Sequence, residues 1–162
     1  MTERNIEEYI VNELPLNDQK IALDFVEFLR NNEMEFVKDN GYWKDKIYYI
    51  IKHNAQCVCF IAIKDPDEKD NRWTVWSDDM DSDWLRDYPV NDALKEIAWR
   101  HVDNCGNCGS CGGGKRKVIF GKEFKRVCGC TFRIDNPDDK DFAFMKKMVE
   151  IRKSEILNKL SD

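Results

Sequence analysis

Apolar residues recur at steps of three and four over Ile6, Tyr9, Ile10 and Leu14, which predicts a short amphipathic helix closed before Pro15. Asn17 is the expected cap of a second helix, whose buried stripe is Ile21, Ala22, Phe25, Phe28 and Leu29. The pattern then changes period. Asn40-Gly41 reads as a turn, followed by Tyr42-Trp43 and a strand over Ile47 to Lys52. His53-Asn54-Ala55-Gln56 is a short hairpin connection into the apolar run Cys57 to Ile63. A third strand, Arg72 to Ser77, follows an acidic loop and completes an antiparallel meander. Asn91 caps a helix carrying Ala93, Leu94, Ile97, Ala98 and either His101 or Val102. Two strands, Lys117 to Phe120 and Phe124 to Ile134, meet across Gly121, and Asn136-Pro137-Asp138 starts a last helix with Phe142, Met145, Ile156 and Leu160 on its apolar stripe.

These elements predict a single α+β domain over residues 1–162, an antiparallel sheet of meander plus C-terminal hairpin packed with helices. At 162 residues such a domain buries enough surface to have a core without a metal. No run is apolar for long enough to cross a bilayer, and the acidic opening residues are unlike a signal peptide, so a cytoplasmic location away from membranes is expected.

Within that frame the cysteines stand out. Five of seven fall in Cys105-x2-Cys108-x2-Cys111 and Cys128-Gly129-Cys130. In a reducing compartment such clustering points to ligands or reactive thiols rather than disulfides. Zinc prefers four thiolates held tetrahedrally. Cys105, Cys108, Cys111 and Cys128 supply them from a ribbon at about 104–130, with Cys130 as an alternative or extra ligand. An iron–sulfur cluster and unmetallated thiols are the competing readings, zinc being favoured because the fourth ligand returns on a hairpin and no proline trails it. His101, four residues before Cys105, is expected to be a packing histidine rather than a ligand, and His53 likewise. Cys57 and Cys59, two apart on a strand, are expected to share a face as core residues.

Charge changes the picture once more. Lys115, Arg116, Lys117, Lys122, Lys125, Arg126 and Arg133 stand against Glu123 alone, a local +6 in a chain of net charge −5. The segment 115–133 is therefore a candidate site for an anionic ligand or nucleic acid through Lys115, Arg116, Lys117, Lys122, Lys125 and Arg126. The stronger expectation is that the charges offset the thiolates, because aromatic residues are not interleaved with them along the chain. The acids around Asp79 do not form a calcium loop, since Trp84 stands where glycine must turn the chain. Trp73 and Trp76 are expected on opposite faces of their strand. There is no phosphate loop, nucleophile elbow or zinc-protease helix, so no catalytic constellation emerges and enzymatic activity stays open.

The order Cys105-x2-Cys108-x2-Cys111, Ile119-Phe-Gly-Lys-Glu-Phe124, Cys128, then Asn136-Pro-Asp before Ile151-Arg-Lys resembles a group of small, uncharacterised bacterial proteins over about residues 100–155. The resemblance implies that Cys105, Cys108, Cys111 and Cys128 belong together, and brings no activity with it.

Overall fold

The first helix, α1 (Ile6–Glu13), begins where the Asn5 side chain accepts a hydrogen bond from the Glu8 amide at 2.9 Å. α2 (Leu16–Asn31) starts two residues earlier than a helix capped by Asn17 would. Pro15 occupies the N-cap position without a side-chain bond, and Gln19 Nε2 donates back to the Leu14 carbonyl at 2.7 Å. α2 ends in a Schellman turn, with Met34 N–H bonded to Leu29 and Glu33 N–H to Arg30, Glu33 taking a left-handed φ of 62°. The computed structural model describes residues 5–38, 47–64, 70–78, 84–104 and 114–161. The Asn40-Gly41 turn, Tyr42-Trp43 and the acids from Asp79 lie outside them.

The strands are β1 (Glu35–Lys38), β2 (Ile47–His53), β3 (Gln56–Ile63), β4 (Trp73–Ser77), β5 (Val102–Asn104), β6 (Lys115–Ile119) and β7 (Lys122–Asp135). A 3-10 turn at Trp84–Arg86 and helices α3 (Asp92–Arg100) and α4 (Asp139–Ser161) complete the described elements. They form a seven-stranded sheet in the order β1-β2-β3-β4-β7-β5, with β6 also paired to β7. The expected meander and hairpin are thus one sheet, joined where Trp76 pairs with Arg133 and Val75 with Ile134. All the strand pairs are antiparallel. No described helix is long and apolar enough to cross a membrane.

One face of the sheet presents Tyr49, Ile51, Cys59, Ile61, Ile63, Trp73, Val75 and Ile134 to the helices, where Phe25, Phe144 and Met145 close the core. Alternation sends Tyr48, Phe60 and Trp76 to the other face, where Tyr48 stacks on Phe60 at 5.8 Å and Arg133 lies over Trp76. Trp73 and Trp76 therefore do face opposite ways.

The β2–β3 connection is a two-residue turn with Asn54 at φ 50° and Ala55 at φ 66°. Both positions of such a turn need left-handed backbone, which matches the twist of the strands but costs a residue with a Cβ about 1 kcal/mol. Ala55→Gly is expected to stabilise the protein by about 0.5 kcal/mol, the relief of strain being partly offset by the freer unfolded chain. A urea midpoint that falls rather than rises would refute this.

A bulge interrupts β3. Ile51 pairs with Cys59 but Lys52 pairs with Cys57, leaving Val58 as the extra residue. Simple alternation therefore fails for the two cysteines. Cys59 is fully buried, whereas Cys57 sits at the rim, half-buried.

Candidate metal centre and basic ribbon

β7 positions the site. Its residues 133–135 are held by β4, while its first half is held by β6 through Lys117↔Phe124 and Lys115↔Val127. β5 runs along its other edge, with Val102↔Phe132 and Asn104↔Val127, so that Asp103 alone faces Cys128, Gly129, Cys130 and Thr131. That mismatch lifts the second cysteine pair out of the ladder. Ser77 Oγ accepts the Phe132 amide at 3.1 Å and marks where β4 ends.

Val127 therefore pairs with two residues at once, Asn104 on one edge and Lys115 on the other. Asn104 directly precedes Cys105, and Val127 directly precedes Cys128. Cys105, Cys108 and Cys111 themselves lie outside the described residues. Among the described residues, no three His, Cys, Asp or Glu side chains come together as a metal site. Cys128 and Cys130 are both half-buried.

Asp103 reaches the Cys128 thiol, which donates to its carboxylate. Burial pushes the Asp103 carboxyl above the ordinary range and Asp135 adds to this, against the opposing pull of Arg133 and the thiol. On the other side, Cys57 is brought from β3 to the neighbourhood of Cys130. Burial, a hydrogen bond with Asp78 and the proximity of Cys130 hold the Cys57 thiol well above its usual range, with Arg152 opposing. It is thus a protonated thiol at neutral pH, and burial raises Cys59 beside it as well. Arg152 Nε donates to the Cys57 carbonyl at 3.1 Å and its Nη1 to Glu155 at 2.9 Å. Val58, Asp78, Leu85, Met148 and Arg152 line a crevice of about 10 Å³, room for a single water.

His101 is engaged elsewhere. As the C-cap of α3, it places Nε2 2.6 Å from Asp141 Oδ1. Asp141 also exchanges hydrogen bonds with Asp138 at the start of α4, a reciprocal cap at 2.8 and 3.1 Å. Burial would raise the Asp141 carboxyl, but the bonds from His101 and Asp138 more than reverse this and hold it below the usual range. The His101 carbonyl meanwhile accepts the Arg133 amide at 3.0 Å. The histidine thus ties the helix leading into the cysteine segment to both β7 and α4. His53 is buried, with no hydrogen-bond partner for Nδ1 among the described residues.

The basic residues divide by contact. Lys117 Nζ donates to Thr131 Oγ1 at 2.8 Å, bracing the bulge. Arg116 pairs with Glu123 at 2.7 Å on the exposed side. Lys122 places its ammonium 5.2 Å from the Trp99 ring and 5.5 Å from the Phe124 ring. Lys115, Lys125 and Arg126 are exposed. One of these charges, Lys122, therefore meets two aromatic rings in space, a proximity that the order along the chain does not show. Trp99 comes from α3 and its indole N–H bonds the Ile119 carbonyl at 2.8 Å. No sequence signal tied it to the ribbon, whereas Asp103 could have been suspected as an acid two residues before a cysteine ligand.

Comparison with protein-family models, with curated proteins and with solved structures found no match.

Proposed function

We propose that this chain is a zinc-binding α+β protein in which Cys105, Cys108, Cys111 and Cys128 hold the metal, with Cys130 as an alternative or extra ligand. The observation that supports this best is the double pairing of Val127 with Asn104 and Lys115. Adjacent strands lie about 4.8 Å apart. Both ends of the cysteine segment are thereby tied to the residue before Cys128, a spacing that suits a tetrahedral site with zinc–sulfur bonds of about 2.3 Å. The bulge opposite Asp103 frees Cys128 and Cys130 from ladder geometry, so that their thiols can turn toward a ligand.

The donor set also fits the surroundings. Four thiolates around a divalent ion leave a net negative centre, and Lys115, Arg116, Lys117, Lys125 and Arg126 lie on the strands that frame it. When bound, zinc would cross-link β5, β6 and β7. Its role on this reading is structural, because four protein ligands fill a tetrahedral shell and leave no open position for a substrate.

Elemental analysis of the purified full chain tests the reading. Stoichiometric zinc is expected, falling well below one per chain in Cys105→Ser. Iron with labile sulfide in anaerobically purified protein would establish the iron–sulfur alternative instead. A folded chain without either would remove both.

A further inference from the structure

A second surface lies on the outer part of the ribbon. The pairings Lys117↔Phe124 and Ile119↔Lys122 put Lys117, Lys122 and Phe124 on one face of the β6–β7 hairpin. Trp99 of α3 packs against that face, fixed by its bond to the Ile119 carbonyl. The result is a patch in which Lys122 stands over two rings, Phe124 and Trp99, while Lys117 on the same face is engaged by Thr131. Both rings are only partly buried and Lys122 is exposed. Glu123, the ribbon's one acid, points to the opposite face and is paired with Arg116. The tight turn at Phe120 and Gly121, with φ of 48° and 87°, anchors the tip through backbone bonds to Leu85 and Arg86, so the patch is presented on a rigid support.

We infer that this face binds single-stranded nucleic acid. Unpaired bases stack on partly exposed rings whatever their sequence, and the phosphates between them seek nearby ammonium groups. Lys122 Nζ lies over the Trp99 and Phe124 rings, 5.2 and 5.5 Å from their centroids, a cation–π contact on a flexible, exposed side chain. A base can stack there while the flexible lysine swings to the adjoining phosphate. Charge directs the strand to this face: the ribbon is strongly positive, while the chain as a whole carries −5. Duplex is disfavoured, because its bases are already stacked and would leave the rings unused.

The test is fluorescence anisotropy of a labelled oligouridylate of about 12 nucleotides with the full chain as purified at about 50 mM and 200 mM salt, with a duplex and a sulfated polysaccharide as comparators. Binding that weakens steeply with salt is expected, with single strand preferred to both comparators. Trp99→Leu keeps apolar bulk but removes the stacking face, and should weaken binding about tenfold, while Trp99→Phe restores most of it. Lys122→Ala, at an exposed position, should weaken binding and flatten the salt dependence. No binding at low salt would overturn the inference, as would a Trp99→Leu protein of unchanged fold and affinity. So would equal affinity for the polysaccharide, which would mark a surface that merely attracts polyanions. Zinc content is measured on every variant, so a lost metal centre is distinguishable from a lost nucleic-acid surface.

Discussion

Removing the metal with a strong chelator is expected to strip hydrogen-exchange protection from β5, β6 and the Lys122–Cys130 half of β7, while β2, β3, β4 and α2 keep theirs. The ribbon has fewer core anchors of its own, Val102, Ile119, Phe120 and Val127, than the meander has. β6 is exposed at Lys115 and Arg116 and reaches full burial only at Ile119, whereas Ile51, Ile61, Ile63, Val75, Phe25 and Leu29 are all in the core. A structural zinc centre contributes about 10 kcal/mol or more to the order of the segment it closes, so its loss should outweigh any single substitution. Arg133 to Asp135 pair with β4 and should remain protected. Unchanged protection of the ribbon after verified metal loss would dispose of the structural role. Collapse of the whole sheet would show instead that the core depends on the metal.

Phe132→Ala is the second large expectation, a loss of about 3–5 kcal/mol. Phe132 is fully buried, stacks on Phe120 at 6.4 Å and meets Phe144 edge-on at 5.0 Å. Its backbone pairs with Val102 and bonds Ser77, so it closes the bulge that carries the two cysteines. Truncation leaves a cavity between β7, the β6–β7 turn and α4, and removes two aromatic pairs worth about 0.5–1.5 kcal/mol each beyond their area. For a chain of this size the melting midpoint should fall by roughly 10 °C. A drop of less than about 1 kcal/mol in a urea titration would mean that the neighbours close over the gap, contrary to their packing.

Much of this architecture was legible where a segment carried its own signal. α2, α3 and α4 each show an apolar stripe at helical period, and Asn91 does cap α3, accepting the Leu94 amide at 2.8 Å. The His53 to Gln56 connection was legible from turn chemistry. β1 was not, because Glu35-Phe-Val-Lys38 is short and charged at both ends, and becomes a strand only through its pairing with β2. β5 was hidden for a similar reason: three residues after a helix have no period, and they are extended because β7 lies beside them. The Cys57 bulge, which cancels the same-face reading of Cys57 and Cys59, is a matter of register with β2. The spacing of Cys105, Cys108, Cys111 and Cys128 nominated the metal ligands. The joining of two sheets at Trp76 and Arg133, the approach of Cys57 to Cys130 and the meeting of Trp99 with Lys122 are long-range events without a local trace.

The late position of β7 has a consequence for a chain made from its N-terminus. β1, β2, β3 and β4 find partners among their immediate neighbours, so the meander can assemble while the ribosome is still adding residues. Until Arg133 emerges, the outer edge of β4 has no partner strand among the described residues. Until Val127 emerges, Asn104 and Lys115 lack the residue they both pair with among the described residues. Synthesis of this one strand therefore caps a sticky edge and frames the cysteine segment in a single closing event, and a ribosome stalled before residue 127 would carry a nascent chain with neither.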